Sequence, residues 1–508
     1  MGYLLAHDVG TSGDKAALVT TDGRVVATEH EPYPTRYPRP LWAEQDPQDW
    51  WRAVAVTTRR LLETSGVKPA EILGLAFSTQ MVNALPVDAQ CQPLMPCISW
   101  LDGRAGKEAQ IVMRKVGGPA IFAMLVGVAM TGKDLLPKYL WLKRNQPDVY
   151  NKAAAIVDAS SYLLYQATGR LVYEWSTASV TGLFDLKKKV WDTTLIRFFG
   201  LDPSKFPTLV QSHERVGGLT PQAAAALGLL EGTPVFGGAG DAMTAAVGSG
   251  AVKEGEGHLC LGTSGFVGIL TSKRVVGKRG IVTIQSADPD KLLLIAETET
   301  AGACLKWAAK ELYGAEPDSA AYQLLDREVA GTAPGAGSLI FTPWMYGERC
   351  PVADESVRAA FINLGANHTR AQMTRAIYEG VAYNVRWILE SIDELYRFRP
   401  DPLRVIGGGA QGLPWLRIVA DVTGRTLESA PNPHHASAVG AALIAAVGLG
   451  LYPSLEATKS LVPAGHVVAP DAAPRATYDE LYVAYRQVYR SLRDLYHTLN
   501  RSKEQANK

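Results

Sequence analysis

Apolar residues at the start of the chain fall into short runs separated by turn residues. Tyr3–Val9 is apolar except near its end, at Asp8; Gly10-Thr11-Ser12-Gly13 is a turn, and residues 15–20 are apolar again. Asp22-Gly23 then gives a second hairpin signal before residues 24–29. Three strands joined by tight turns predict an antiparallel meander. A helix is expected over 48–64 and a short apolar strand over 72–77. Mixed helix and strand continue to Gly237-Gly238-Ala239-Gly240-Asp241, where a small-residue helix over 242–250 is predicted. Residues 258–270 then read as strand, Gly262-Thr263-Ser264-Gly265 turn and strand.

The same four-residue turn thus occurs twice in one strand–turn–strand setting, at 8–13 and 260–265, half a chain apart. A repeated unit at that separation implies two related domains facing each other. Length agrees: single cores stop growing at roughly 250–300 residues, and this chain has 508. The boundary is placed in the Gly- and charge-rich stretch 248–257, dividing the chain into 1–250 and 251–508.

Composition removes several classes. Hydrophobic residues make up 47% and charged residues 20%, a globular balance rather than a disordered one. Lys plus Arg number 51 against 50 Asp plus Glu, so no basic face points to nucleic acid. The five cysteines, Cys91, Cys97, Cys260, Cys304 and Cys350, are scattered without a CxxC pair, which predicts neither a disulfide framework nor a zinc site. Residues 120–130 and 436–451 are apolar but shorter than the roughly 20 residues of a membrane span, and both are expected to be buried helices. With no basic leader or cleavage signal, the expected compartment is the reducing cytoplasm.

Chemistry enters through the turns. Backbone N–H groups and hydroxyls of a Gly/Thr/Ser turn suit phosphate oxygens. A carboxylate beside phosphate needs a cation between them, so Asp8 reads as a Mg²⁺-associated group acting through water. The alternative is an ordinary hairpin with Asp8 capping it. Cys260 stands at the matching position in the second turn, and a thiol does not suit Mg²⁺. Asp241 opens a helix, where Asp is a good N-cap. A lone carboxylate after a glycine approach is also placed to take a proton from a substrate hydroxyl. Finally, Gly407-Gly408-Gly409-Ala410-Gln411-Gly412 contains GxGxxG between a strand and a helix over 414–422, with Glu428 further on, the dinucleotide pattern of an NAD-dependent dehydrogenase. No GxxxxGK[ST] is present.

Taken together, these motifs resemble the FGGY carbohydrate kinases, within the actin, hexokinase and Hsp70-like ATPase superfamily, and look closest to the xylulokinase branch. The resemblance runs from about residue 4 to about residue 451. It rests on Asp8–Gly13, Leu41-Trp42-Ala43-Glu44-Gln45-Asp46-Pro47, Trp100-Leu101-Asp102-Gly103-Arg104, Pro137-Lys138-Tyr139-Leu140-Trp141, Gly240-Asp241, 261–265, Tyr346-Gly347-Glu348-Arg349 with Pro351, 376–380 and 407–410, in the family's order.

The resemblance implies two actin-like, ribonuclease H-like α/β domains, each a mixed five-stranded sheet flanked by helices. Sugar would bind the N-terminal domain and ATP mainly the C-terminal one. Asp241 would be the general base. Thr11, Ser12, Gly262 and Thr263 would contact phosphate, with Gly302 also on the ATP side, and Gly408, Gly409 and Ala410 would contact the adenosine. Gln80, Met81, Val82, Asn83, Trp100, Asp102 and Asp241 would line the sugar site. ATP, Mg²⁺, a small-molecule sugar or polyol and a homodimer are the implied cofactors and partners; neither nucleic acid nor membrane is.

Two positions depart from the xylulokinase pattern: Val82 stands where that branch has His, and Ala242 where it has Asn. D-xylulose is therefore the first expectation, and another ketose or polyol (ribulose, erythritol, or a glycerol-like compound) the alternative. A non-catalytic actin-like ATPase is a third class, which leaves Asp241 without a role. Trp100 is expected in the core, Asp102 and Arg104 as a surface pair of little weight, and Tyr478–His497 as a docking helix.

Overall fold

Tyr3–Val9, Gly13–Thr20 and Val25–Pro32 pair antiparallel in chain order, as the turn spacing predicts. They belong to the first of two α/β domains in a computed structural model that describes residues 2–126 and 129–500. Ile72–Thr79 lies parallel to Tyr3–Val9, and Pro234–Phe236 and Ala239–Gly240 lie parallel to Ile72–Thr79. Arg215–Gly218 closes that edge antiparallel. The second sheet runs Ile281–Gln285, Leu292–Thr298, Gly265–Thr271, Gly257–Leu261, Leu403–Ile406, Leu427–Ser429, Val467–Val468.

Among the described residues each sheet therefore has seven strands, not the expected five. In the first, Ala239–Gly240 and Arg215–Gly218 are too short to give an alternating signal. In the second, the edge strands Ile281–Gln285 and Val467–Val468 extend a five-stranded core.

The repeat is structural. Val9 pairs with Asp14 across the first turn, and Leu261 with Gly265 across the second. In both domains the strand entering the turn also has a parallel neighbour, Ile72–Thr79 or Leu403–Ile406. Each turn thus sits at the carboxyl ends of parallel strands, where ligands bind in open α/β sheets.

Between the sheets, the helices Asp241–Ser249 and Ala436–Gly448 cross at glycines. A Cβ on Gly248 would collide with the Ala436 carbonyl, and one on Gly440 with that of Thr244. Small residues at the crossing let the two backbones touch. Ala438, Ala441, Ala442, Ala445 and Ala446 of the second helix also cover Leu4, Ala6, Ala17, Val19 and Ala76 of the first sheet. That buried helix matches the expectation for 436–451.

The expectation for 120–130 needs correction. Pro119–Val126 is helical, but Ile121 and Met124 are 44% and 70% exposed, because only a part of so short a helix reaches the core. Residues 127–128 lie outside the described residues.

Pro47–Ser65 forms the first long helix, capped where Asp46 accepts from the Gln48 N–H. Arg475–Leu499 docks Tyr478, Leu481, Tyr482 and Tyr485 into the second core, with Arg375 donating to the Tyr478 hydroxyl at 2.8 Å. Among the described residues no helix is long and apolar enough to cross a membrane.

Candidate active site at the paired turns

Asp8 is the penultimate residue of the first strand and is buried. Ser78, its register neighbour on the parallel strand, donates to Asp8 Oδ1 at 2.9 Å. The same hydroxyl lies 2.8 Å from Thr244 Oγ1, on the helix that Asp241 begins. One hydroxyl relay therefore ties the first turn to the Asp241 helix. Lys15 stands directly opposite Asp8 in the antiparallel register, its Nζ 3.7 Å from Oδ2. Burial raises the Asp8 carboxyl above the usual range, with Lys15 and Ser78 opposing.

Asp241 is the first residue of its helix rather than its cap, which is Gly240. Among the described residues its Oδ1 accepts only from the adjacent Ala242 N–H, at 2.8 Å. Burial pushes Asp241 up to about 7, helped by the negative charge of Asp8 and by Glu297; Ala242 and Lys15 pull the other way. The glycine approach lets the backbone pack closely within the protein. Gly238 has φ +67° and abuts the Phe77 carbonyl, and Gly240 abuts the Met81 thioether.

Around the first turn, the Trp100 indole donates to Thr11 Oγ1 at 2.8 Å, so Trp100 is a half-buried neighbour of the turn rather than core. Gln45 donates to the Thr11 carbonyl at 2.7 Å, and Gln80 donates to Gln45 at 2.7 Å. Ser12 is exposed, while Met81 and Val82 are half-buried. Gln80 and Asn83 are fully buried, with the Asn83 amide donating to the Gln80 carbonyl at 3.1 Å. Both face inward and shape the loop.

Asp102 is likewise engaged within the protein, accepting from the Ala43 N–H at 2.6 Å and from the Arg104 guanidinium at 2.7 Å. The expected weak surface pair is instead 0% and 1% exposed at its side chains. Arg104 is also held by Glu44 at 2.7 Å and lies 3.6 Å from the Trp42 ring centre. Aromatic neighbours far off in sequence bury it.

At the second turn, Thr263 is exposed and Gly262 half-buried. Gly302 donates its N–H to the Gly262 carbonyl at 2.8 Å, and Ala301 and Ala303 both donate to the Thr263 carbonyl at 3.0 Å. Gly302 thus buttresses the turn from behind. The Gly407–Ala410 loop follows a strand parallel to Gly257–Leu261, which sets it beside that turn. Gly408 is exposed next to His434; Gly409 packs on Trp415 and Leu261, and Ala410 is buried. Glu428, the acid of the dinucleotide pattern, is paired to Arg404 at 2.9 Å, and the glycines enter a 3₁₀ turn before the helix Leu413–Thr423. The dehydrogenase reading fails on both counts.

Sequence reasoning missed Lys15, Ser78 and Thr244. Lys15 was recoverable: folding the chain about the predicted turn puts it opposite Asp8. Among the described residues no group of three or more His, Cys, Asp or Glu is placed to hold a metal.

A two-domain α/β fold with paired Gly/Thr/Ser turns at the carboxyl ends of parallel strands suits a phosphate-handling protein. The chain matches the N-terminal domain of the FGGY family of carbohydrate kinases over residues 3–248 and its C-terminal domain over 257–449, and it belongs to that family. It is 31% identical to a xylulose kinase of Lactococcus lactis over 98% of this chain and 99% of the relative. A gluconokinase of Bacillus subtilis is 26% identical, with 97% of each chain covered. The crystal structure of a xylulose kinase from Rhodospirillum rubrum superposes with a TM-score of 0.86 at 28% identity, covering 97% of this chain and all of that one, 100%.

Proposed function

We propose that this carbohydrate kinase transfers the γ-phosphoryl group of ATP to a hydroxyl of a small ketose, D-xylulose first, with Asp241 as general base. One observation carries the reading: Asp241 is partly exposed, under the influence of the Asp8 charge, and among the described residues its only hydrogen-bond partner is its own neighbour's N–H, while burial and Asp8 push its carboxyl up to about 7. A base near neutral is poised to accept the hydroxyl proton as the new P–O bond forms. Phosphoryl transfer asks the protein mainly for positioning and charge stabilisation. Thr11, Ser12, Gly262 and Thr263 would supply N–H and hydroxyl donors to phosphate, and Lys15 a positive charge between the turns. Gly408 is the exposed member of the adenosine loop, with Gly409 and Ala410 supporting it from within.

The residues fit a divalent cation. Asp8 raises the proton affinity of Asp241, and Asp14 that of Asp8, an excess of negative charge that Mg²⁺ would relieve. Asp8 would hold it through water, and bound there it would neutralise charge on the phosphates. Met81, Val82 and Trp100 would line the acceptor side, with Gln80, Asn83 and Asp102 fixing the loops behind them. A division of the chain near residue 250 would put the sugar loops with the first sheet, and Gly262, Thr263 and Gly408 with the second. Five free cysteines, four of them buried, fit a reducing cytoplasm. The family-level homodimer is checked by sedimentation.

The deciding experiment is ADP release from Mg·ATP over D-xylulose, L-xylulose, D-ribulose, L-ribulose, erythritol, glycerol, D-arabitol and D-gluconate, with Asp241→Ala in parallel. One acceptor that stimulates turnover only in the wild type upholds the reading. Turnover with no acceptor, or turnover surviving in Asp241→Ala, overturns it.

A further inference from the structure

Lys138 is fully buried on the helix Leu135–Asn145, and forms no ion pair among the described residues. Its ammonium donates to two backbone carbonyls, Val82 at 3.1 Å and Ser99 at 2.8 Å. Those carbonyls belong to two separate loops. The first carries Met81 and Val82, with Met81 packed on Gly240 beside Asp241. The second leads into Trp100, whose indole grips Thr11 of the first turn. Val82 itself has φ +60°, a left-handed backbone that a β-branched side chain adopts only under strain. Something must hold it there, and the Lys138 bond ends on that residue's own carbonyl.

We propose that Lys138 is a positioning residue: it clamps the Val82 and Ser99 loops together and keeps the acceptor site in its working shape. Its cost is visible in the electrostatics. Burial lowers the Lys138 ammonium to about 7, with Asp102, Asp134 and Cys97 pulling upward and Arg104 downward. A buried cation without a paired carboxylate is unfavourable for stability, so the residue is explained by the geometry it imposes.

The inference rests on the kinase reading, and the test separates the two. Steady-state constants for D-xylulose and for Mg·ATP are measured for wild type, Lys138→Met, Val82→Gly and the double variant. Lys138→Met should raise the acceptor KM by about tenfold or more, the scale of a small misplacement in a binding site, with the KM for Mg·ATP unchanged. Glycine adopts a positive φ without strain, so Val82→Gly in the Lys138→Met background should recover part of the loss. Equal effects on both substrates, no effect, or no recovery would each overturn the clamp. Lys138→Gln, which keeps a donor in the pocket, replaces the methionine if that variant does not fold. If the wild type does not turn over D-xylulose, the substrate reading fails, and the crystal structure of the Lys138 variant decides the clamp: Val82 leaving positive φ supports it, and Val82 unmoved refutes it.

Discussion

Gly440 lies against the backbone carbonyl of Thr244 with no space for a Cβ between them. Thr244 is also the residue whose hydroxyl meets Ser78, the partner of Asp8. A close approach of the two central helices is therefore one step from Asp8 and from the helix that Asp241, the proposed base, begins, and anything that spreads the helices also shifts the relay.

Gly440→Ala tests this directly. In an isolated helix alanine would gain up to about 1 kcal/mol over glycine. Here overpacking should win, with a net loss of about 1–3 kcal/mol in urea unfolding. A stabilised Gly440→Ala protein would show that the crossing has slack.

Asp241→Asn separates catalysis from stability. Loss of the base should lower kcat by about 10²–10⁴-fold. Stability should move the other way. The folded carboxyl sits at about 7 against an ordinary 3.8, so ionising it costs the folded state. That cost is absent below about pH 4, grows between pH 4 and 7, and is complete above 7. The amide removes it, so the variant should melt above wild type at pH 8 and level with it at pH 4. A gap that is the same at both pH values would contradict the assignment.

The acid limb of the pH–rate profile follows from the same group. kcat/KM for ATP, which reports the free enzyme, should rise with an apparent value near 7 as Asp241 loses its proton. With saturating Mg·ATP the added cation should favour the carboxylate and move the limb to lower pH. A limb that stays in place with nucleotide bound would argue against a metal near Asp241.

Specificity should respond to the two positions that depart from the xylulokinase pattern. Histidine tolerates left-handed backbone better than valine, so Val82→His fits the φ of +60° at that position. Combined with Ala242→Asn it restores two hydrogen-bonding side chains, and kcat/KM for D-xylulose should rise relative to erythritol by about tenfold, roughly one good bond. An unchanged ratio would mean that neither residue reads the sugar.

How much of this was legible depended on whether a signal was local. Both GTSG turns and the meander follow from spacing, and the structure places them as read; the helix expected over 48–64 starts at Pro47, capped by Asp46, and Asp241 is the first helical residue where its side-chain chemistry had suggested a cap. The extra strands did not, since Ala239–Gly240 has only two residues and cannot show alternation. Asp102 and Arg104 read as a surface pair because nothing in their segment reveals Trp42 and Trp141 closing over them. The inward turn of Gln80 and Asn83 had the same origin: their partners lie on other loops. Lys138 was quoted as part of a motif, yet its two carbonyl partners are 56 and 39 residues away, beyond any periodicity.

The helix Ala436–Gly448 covers the first sheet although it is made late. A ribosome must reach residue 448 of 508 before the face formed by Leu4, Ala6, Ala17 and Ala76 can be roofed. Until then the amino-terminal half carries a bare apolar surface, the kind on which nascent chains aggregate. Fragments ending near residue 250 should therefore collect as insoluble material or on chaperones. Co-expression with the remaining half, which brings the roof in trans, should return them to solution.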